Sequence, residues 1–189
     1  RAQRSVPPAA PDLLSPVAYV RDATAEDAAA CARIYAPYVS ETATSFELEP
    51  PGAEEMVGRI EAAQARFAWL VLEVDGGVVG YAYGSVFNER PAYRWACQVS
   101  VYLERGRRRT GGGRLLYEEL FRRLGARGFR RALAGMTLPN DASAGLHAAL
   151  GFEPVGVFRQ VGWKLGAWHD VAWVQRALEP PDHAPDPPR

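Results

Sequence analysis

Between Gln98 and Leu124 the chain runs from an alternating segment through a basic loop and three consecutive glycines into a stretch of helical periodicity. Val99, Val101 and Leu103 alternate with Gln98, Ser100 and Tyr102, the period of a half-buried strand. Leu115, Leu116, Leu120, Phe121 and Leu124 then recur at helical spacing up to Gly125 and Gly128. Gly111, Gly112 and Gly113 therefore fall where a helix begins. The N–H groups there have no intrahelical partner, the macrodipole is positive, and glycine lets a bulky anion reach the main chain. Such a corner binds phosphate, and the arginines from Arg105 to Arg109, with Arg114 beyond, add mobile positive charge. Taken alone, a glycine triplet is a helix start in a solvated basic loop. The order strand, basic loop, helix favours a ligand.

Two other phosphate motifs are excluded. Arg109-Thr110-Gly111-Gly112-Gly113-Arg114 lacks the Gly-Lys-Ser/Thr end of a nucleotide P-loop, and no Gly-x-Gly-x-x-Gly follows the first predicted strand. The spacing present is Arg108-x-x-Gly111-x-Gly113, which resembles the Arg/Gln-x-x-Gly-x-Gly/Ala signature of the GCN5-related N-acetyltransferase (GNAT) superfamily. Asn140, Ala144, Leu146, Leu150, Gly151 and Phe152 resemble that family's second motif, with His147 in place of its tyrosine. Leu138-Pro139-Asn140-Asp141, Leu146-His147-Ala148-Ala149-Leu150-Gly151-Phe152 and Gly166-x-Trp168-His169-Asp170-Val171 look like the phosphinothricin acetyltransferase subgroup. The match spans Val17 to Leu178.

The resemblance implies an α/β GNAT fold, a mixed, mostly antiparallel central sheet flanked by helices, with acetyl-CoA as co-substrate and direct acetyl transfer to the primary amine of a small amino acid or analogue. It places the diphosphate on Arg108, Arg109, Thr110, Gly111, Gly112, Gly113 and Arg114, the pantetheine arm on Val101, Tyr102 and Leu103, and the cofactor's pantetheine or phosphate region on Asn140, which can also cap its own helix. It implies a homodimer as well, to which the tryptophans Trp163, Trp168 and Trp173 lend weak support.

One position departs from the subgroup. Its usual base, a glutamate three residues before the Val-Tyr-Val/Leu strand, is Gln98 here, and glutamine takes no proton. Deprotonation would pass through water held by Gln98, through Glu89 or His147, or happen in bulk. His147, ordinary for the subgroup, is a candidate proton donor to the leaving thiolate, because imidazole titrates near neutrality. Its other reading is a helix histidine that only touches cofactor. Before the central strand, Arg90, Tyr93 and Arg94 suit a small anionic acceptor, since arginine grips a carboxylate through two parallel hydrogen bonds.

The remaining sequence sets bounds. The 189 residues suffice for one domain with a sizeable core. The net charge of zero recommends neither a nucleic acid nor a membrane as partner. No apolar run reaches membrane-spanning length and no signal-peptide succession is present, so a cytoplasmic location is expected. Cys31 and Cys97 read as reduced core thiols, and no metal cluster is expected. Residues 1–16 read as a flexible arm, 17–178 as the acetyltransferase domain, and 179–189, with five prolines, as a disordered tail. Thr24-x-x-Asp27 marks a first helix, Ala53–Ala65 a second, and Asp75-Gly76-Gly77 a hairpin between Phe67–Val74 and Val78–Val86. A strand at Arg130–Thr137, a helix at Asn140–Leu150 and a hairpin across Leu165-Gly166-Ala167 complete the reading. Three alternatives stay open: an acyl-CoA-binding sensor without catalysis, acetylation of another amine, and acetylation of a protein N-terminus.

Overall fold

A computed structural model describes residues 18–107 and 110–178; both proposed terminal segments, and Arg108 and Arg109, lie outside the described residues. In chain order the elements are β1 (Ala18–Asp22), α1 (Ala28–Ser40), α2 (Ala53–Arg66), β2 (Trp69–Val74), β3 (Gly77–Val86), β4 (Ala96–Leu103), α3 (Gly112–Ala126), β5 (Arg131–Thr137), α4 (Asp141–Ala149), β6 (Glu153–Lys164) and β7 (Ala167–Ala177). A single 3-10 turn at Ala25–Asp27 precedes α1, its start fixed by the Thr24 N–H donating to Asp27 at 2.8 Å. The strands form one sheet in the order β1-β2-β3-β4-β5-β7-β6. Every neighbouring pair is antiparallel except β4 and β5. The mixed, mostly antiparallel sheet expected from the sequence is therefore present.

Side-chain alternation divides the core between two faces. On one face Leu116, Tyr117, Leu120 and Leu124 of α3 pack against Leu70, Leu72, Ala82, Cys97 and Val99. On the other, Cys31, Ile34, Tyr35 and Val39 of α1 and Met56 and Ile60 of α2 pack against Trp69, Val71 and Tyr81. Both cysteines are buried and unbridged, and burial pushes each thiol up to about 12, which leaves them unreactive at neutral pH. Both predicted hairpin turns use two consecutive positive-φ residues, Asp75 (50°) and Gly76 (80°), then Leu165 (52°) and Gly166 (75°).

What positions the site is the place where β4 and β5 part. Their parallel pairing covers Ala96↔Arg131, Cys97↔Ala132 and Gln98↔Leu133 and stops there. Within a strand, each residue's N–H and C=O point to one side and its neighbours' to the other. The Trp95 carbonyl bonds Arg130 on the β5 side and the Glu104 N–H bonds Val79 on the β3 side, so odd-numbered residues of β4 face β5. Past Gln98 that side is open. The peptide groups of Val101 and Leu103 therefore point into a wedge instead of a ladder.

Candidate active site

The wedge is the floor of a cavity of about 870 Å³. Its walls are Tyr38 and Thr44 from the α1 side, Val101, Tyr102 and Leu103 of β4, Thr110 to Arg114 at the start of α3, and Asn140 to Ser143 with Leu146 at α4. Gly111, with φ of 82°, turns the chain into α3, and no side chain caps that helix. The first-turn N–H groups of α3 thus lack a side-chain acceptor beside an open cleft. A Cβ on Gly112 would lie 2.7 Å from Leu72 Cδ2, and one on Gly113 3.1 Å from Leu146 Cδ2. The helix start is seated as close to sheet and α4 as glycine allows.

Around this corner the polar groups are already paired. Thr110 Oγ1 donates to the Arg107 carbonyl at 2.9 Å, Arg107 meets Glu104 at 3.1 Å, and Arg114 meets Glu118 at 3.2 Å. These arginine pairs are largely exposed and exchangeable for a polyanion. Asn140 caps α4, accepting the Ser143 N–H at 3.1 Å, and faces the cavity with its amide NH2 left to donate. Asn140 can thus cap its helix and still donate to a cofactor. Tyr38, which the sequence did not single out, donates from α1 to the Leu103 carbonyl at 2.7 Å.

His147 is not brought to the cavity. It is buried in α4, its Nδ1 2.8 Å from the Ser143 carbonyl and its Nε2 3.2 Å from the Tyr117 hydroxyl. A carbonyl only accepts, so Nδ1 carries the proton and Nε2 accepts from Tyr117. Burial lowers the pKa of His147 below its usual value, opposed by the Ser143 carbonyl. Both ring nitrogens are engaged in this geometry, Nδ1 within α4 and Nε2 with α3.

Gln98 lies on the other side of the sheet. Its Cα partners are Ser85 and Leu133, so its side chain shares a face with Ser85, Tyr83 and Ser100 and not with the Val99 core. Along the same face β7 presents Trp173 over Gly135, whose missing Cβ would be 3.2 Å from the indole. Gly135 is exposed there, in the middle of a strand. Phe87 meets Trp173 edge-on at 6.1 Å, and Tyr93 meets Phe87 at 5.7 Å. Tyr93 is thus joined to this face through an aromatic row. Arg90 and Arg94 are not: both are exposed, and Arg94 turns back to the Pro91 carbonyl at 2.9 Å and lies over Trp95 at 5.1 Å. Glu89 is exposed in the same loop. The wedge thus has an uncapped helix start and the cavity on one face of the sheet, and half-buried aromatic and polar side chains on the other.

Comparison with known proteins identifies the family. Residues 20–173 match the acetyltransferase (GNAT) domain family. The phosphinothricin N-acetyltransferase of Streptomyces viridochromogenes is 40% identical over 170 residues, covering 90% of this chain and 91% of that protein. The L-methionine sulfoximine/L-methionine sulfone acetyltransferase of Pseudomonas paraeruginosa is 32% identical over 171 residues, covering 89% and 99%. Among solved structures, a phosphinothricin acetyltransferase from Sinorhizobium meliloti in complex with acetyl-CoA superposes with a TM-score of 0.85 at 37% identity, covering 89% of this chain and 93% of that one.

Proposed function

Since the chain belongs to the GNAT acetyltransferase family, we propose that residues 17–178 transfer acetyl from acetyl-CoA to the primary amine of a small amino acid or analogue of the phosphinothricin or methionine sulfone type. The observation that carries this is the wedge, where peptide groups of β4 past the β5 pairing open into a cavity walled by the uncapped start of α3 and by α4.

The residues present fit the co-substrate. The α3 N-terminus with Thr110 and Arg114 would hold the diphosphate; the Val101 peptide, the Leu103 N–H and Asn140 would hold the pantetheine amides, the Leu103 carbonyl being taken by Tyr38; Arg108 and Arg109 are proposed to add charge. Acetyl-CoA, when bound, supplies an activated acyl group and a thiol leaving group. The main-chain N–H groups on the open side of β4 are fixed donors for oxyanion charge, requiring no reorganisation as it develops. The amine would lie against the half-buried face around Ser100 and Gln98. Gln98 orients the amine and a water by hydrogen bonds, and the proton leaves through that water. The chain itself is never acylated. Initial-rate patterns that intersect, and a protein mass unchanged by acetyl-CoA alone, test direct transfer; parallel lines with an acetylated protein would refute it.

Without a side-chain base, kcat/KM for the acceptor should rise with pH along the free-amine fraction of the acceptor. Gln98→Glu should add a titrating limb and raise the neutral-pH rate by about tenfold or more; pH profiles of both proteins decide. The same residue favours a second reading, an acyl-CoA sensor. Cofactor binding without turnover in the wild type, and turnover only in Gln98→Glu, would select it.

We further propose a cytoplasmic homodimer formed on β6. This edge strand leaves Val155, Phe158, Val161, Trp163 and, across the turn, Trp168 more than half exposed, a contiguous apolar edge that a monomer seldom keeps. Trp173, in contrast, is turned inward onto Gly135. Trp163→Glu should convert a dimeric wild type to monomer in sedimentation velocity; a wild type that is monomeric at micromolar concentrations would overturn the assembly.

A further inference from the structure

The C-terminal hairpin from Gly162 to Asp170 carries buried and half-buried polar side chains that the transfer chemistry does not use. We infer that it is a positioning device: Gly162, Lys164 and His169 hold residues 41–47 in place as one wall of the acceptor compartment, an inference that rests on the proposed transferase reading.

Residues 41–47, the first part of the stretch between α1 and α2, form neither helix nor strand, yet they are anchored from two sides. Lys164 is 4% exposed, and its ammonium donates to the carbonyls of Val39, in the last turn of α1, and of Ser45. A buried ammonium persists only where hydrogen bonds replace its water, and here main-chain oxygens of the connecting segment do so. His169 in turn donates through Nε2 to the Lys164 carbonyl at 2.9 Å. Asp170 accepts from Arg159 at 2.6 Å and from the Gln160 N–H at 2.8 Å, fixing the irregular stretch where β6 slips register against β7. Phe46 occupies the space over Gly162: a Cβ there would fall 2.2 Å from its ring. The same ring lies 6.2 Å from His169.

From the other side, Tyr35 shares a hydrogen bond with Ser45 Oγ at 2.7 Å and donates to Glu47 at 2.9 Å, and Arg59 clasps Glu47 at 2.7 and 2.9 Å. The arginine first, then the Tyr35 hydroxyl, holds the Glu47 carboxyl below its usual range, so it stays an anchor and not a base. Two facts tie the segment to the site. Thr44 lines the cofactor cavity, and Phe46 touches β7 on the face that Trp173 shares with Gln98. The segment therefore spans from cleft to acceptor face, and its position is set by a strand far away in sequence.

The test uses Lys164→Met, which keeps the length and loses the donors, and Phe46→Ala, which removes a ring already 40% exposed and so leaves the core intact. Three readouts are taken: cleavage after Glu47 or Glu49 by a glutamate-specific protease under native conditions, acetyl-CoA affinity by titration calorimetry, and acceptor KM with methionine sulfone. The expected result is faster cleavage in both variants and an acceptor KM raised about tenfold, since the wall must then be ordered on binding, with acetyl-CoA affinity within about twofold of wild type. Unchanged cleavage in both variants would overturn the anchoring. Faster cleavage with unchanged acceptor KM would overturn the wall. An equal fall in acetyl-CoA affinity would mean general loosening and overturn it too. If the wild type turns over no amine, the functional reading fails separately, and cleavage still decides the anchoring.

Discussion

Replacing Gly111 by aspartate is expected to leave the fold intact and lower acetyl-CoA affinity by about 100-fold. Gly111 precedes α3 with φ of 82° and nothing within 4 Å of the Cβ it lacks. Aspartate tolerates the left-handed region better than most residues and is a preferred N-cap. The helix should accept it. Its carboxylate, however, would take the free N–H groups of α3 and set a full negative charge where the diphosphate must sit. Two like charges at about 4 Å repel by roughly 4 kcal/mol at the effective dielectric of a protein surface, and screening and rearrangement bring that to the loss stated. Gly111→Asn supplies the same shape without the charge and should lose far less. Calorimetric titration of both variants with acetyl-CoA is the check. Equal losses for aspartate and asparagine would assign the effect to shape and contradict the anion corner.

For His147→Ala the expectation is reversed: a large loss of stability and little loss of turnover. The imidazole fills space among Tyr117 and Phe152, with ring centroids 5.4 and 4.8 Å away. Removing it leaves a cavity and strips the Tyr117 hydroxyl of its acceptor, together about 2–4 kcal/mol. Denaturant midpoints should fall accordingly while kcat of the folded enzyme stays within a few-fold. A kcat loss of a hundredfold or more with unaltered stability would restore the histidine as proton donor. The pH dependence gives a second readout. Because burial lowers the folded pKa below the ordinary 6.5, the neutral imidazole's stabilisation is complete above that unfolded value. It is lost as pH falls from about 6.5 toward the folded pKa. The stability gap between wild type and His147→Gln should therefore narrow below pH 6.5 and stay constant above it.

The contrast between these two residues shows what the chain reveals before it folds. The glycine corner was legible because phosphate binding by a helix start is local: strand, loop and helix are consecutive, and Gly111 to Gly113 lie where the pattern puts them. The hairpins were legible for the same reason, since Asp75-Gly76 and Leu165-Gly166 make their turns from adjacent residues. The motif that carried His147 was visible, but its burial was not. Whether a helical histidine faces a cleft or a neighbouring helix depends on Tyr117, thirty residues earlier, and no spacing records that contact. Arg90 and Arg94 suited an anionic acceptor by composition, yet composition does not aim a side chain, and Arg94 turns to its own loop. Tyr38 and Lys164 escaped notice because their partners, the Leu103 and Val39 carbonyls, are main-chain atoms that any residue would supply. Long-range bonds to backbone leave no signature in residue identity.

The role of Gln98 follows from this division between local and distant information. It occupies the position of a base in the resembled subgroup, and the fold places it half-buried on the face of β4 shared with Ser100, the face proposed to meet the acceptor. A neutral residue there removes a charge that would otherwise attract the ammonium form of the acceptor, and it shifts the working pH toward the range where the amine is free.

The central claim is acetyl transfer to a small amino acid or analogue, and one competition measures it. Wild-type protein is given acetyl-CoA with equal amounts of phosphinothricin, methionine sulfone, free amino acids and a short peptide with a free N-terminus, and the acetylated products are identified by mass spectrometry. The account predicts N-acetylation of one of the amino-acid analogues, with the peptide left unmodified. Acetylated peptide as the main product, or none at all while acetyl-CoA binds, would contradict it.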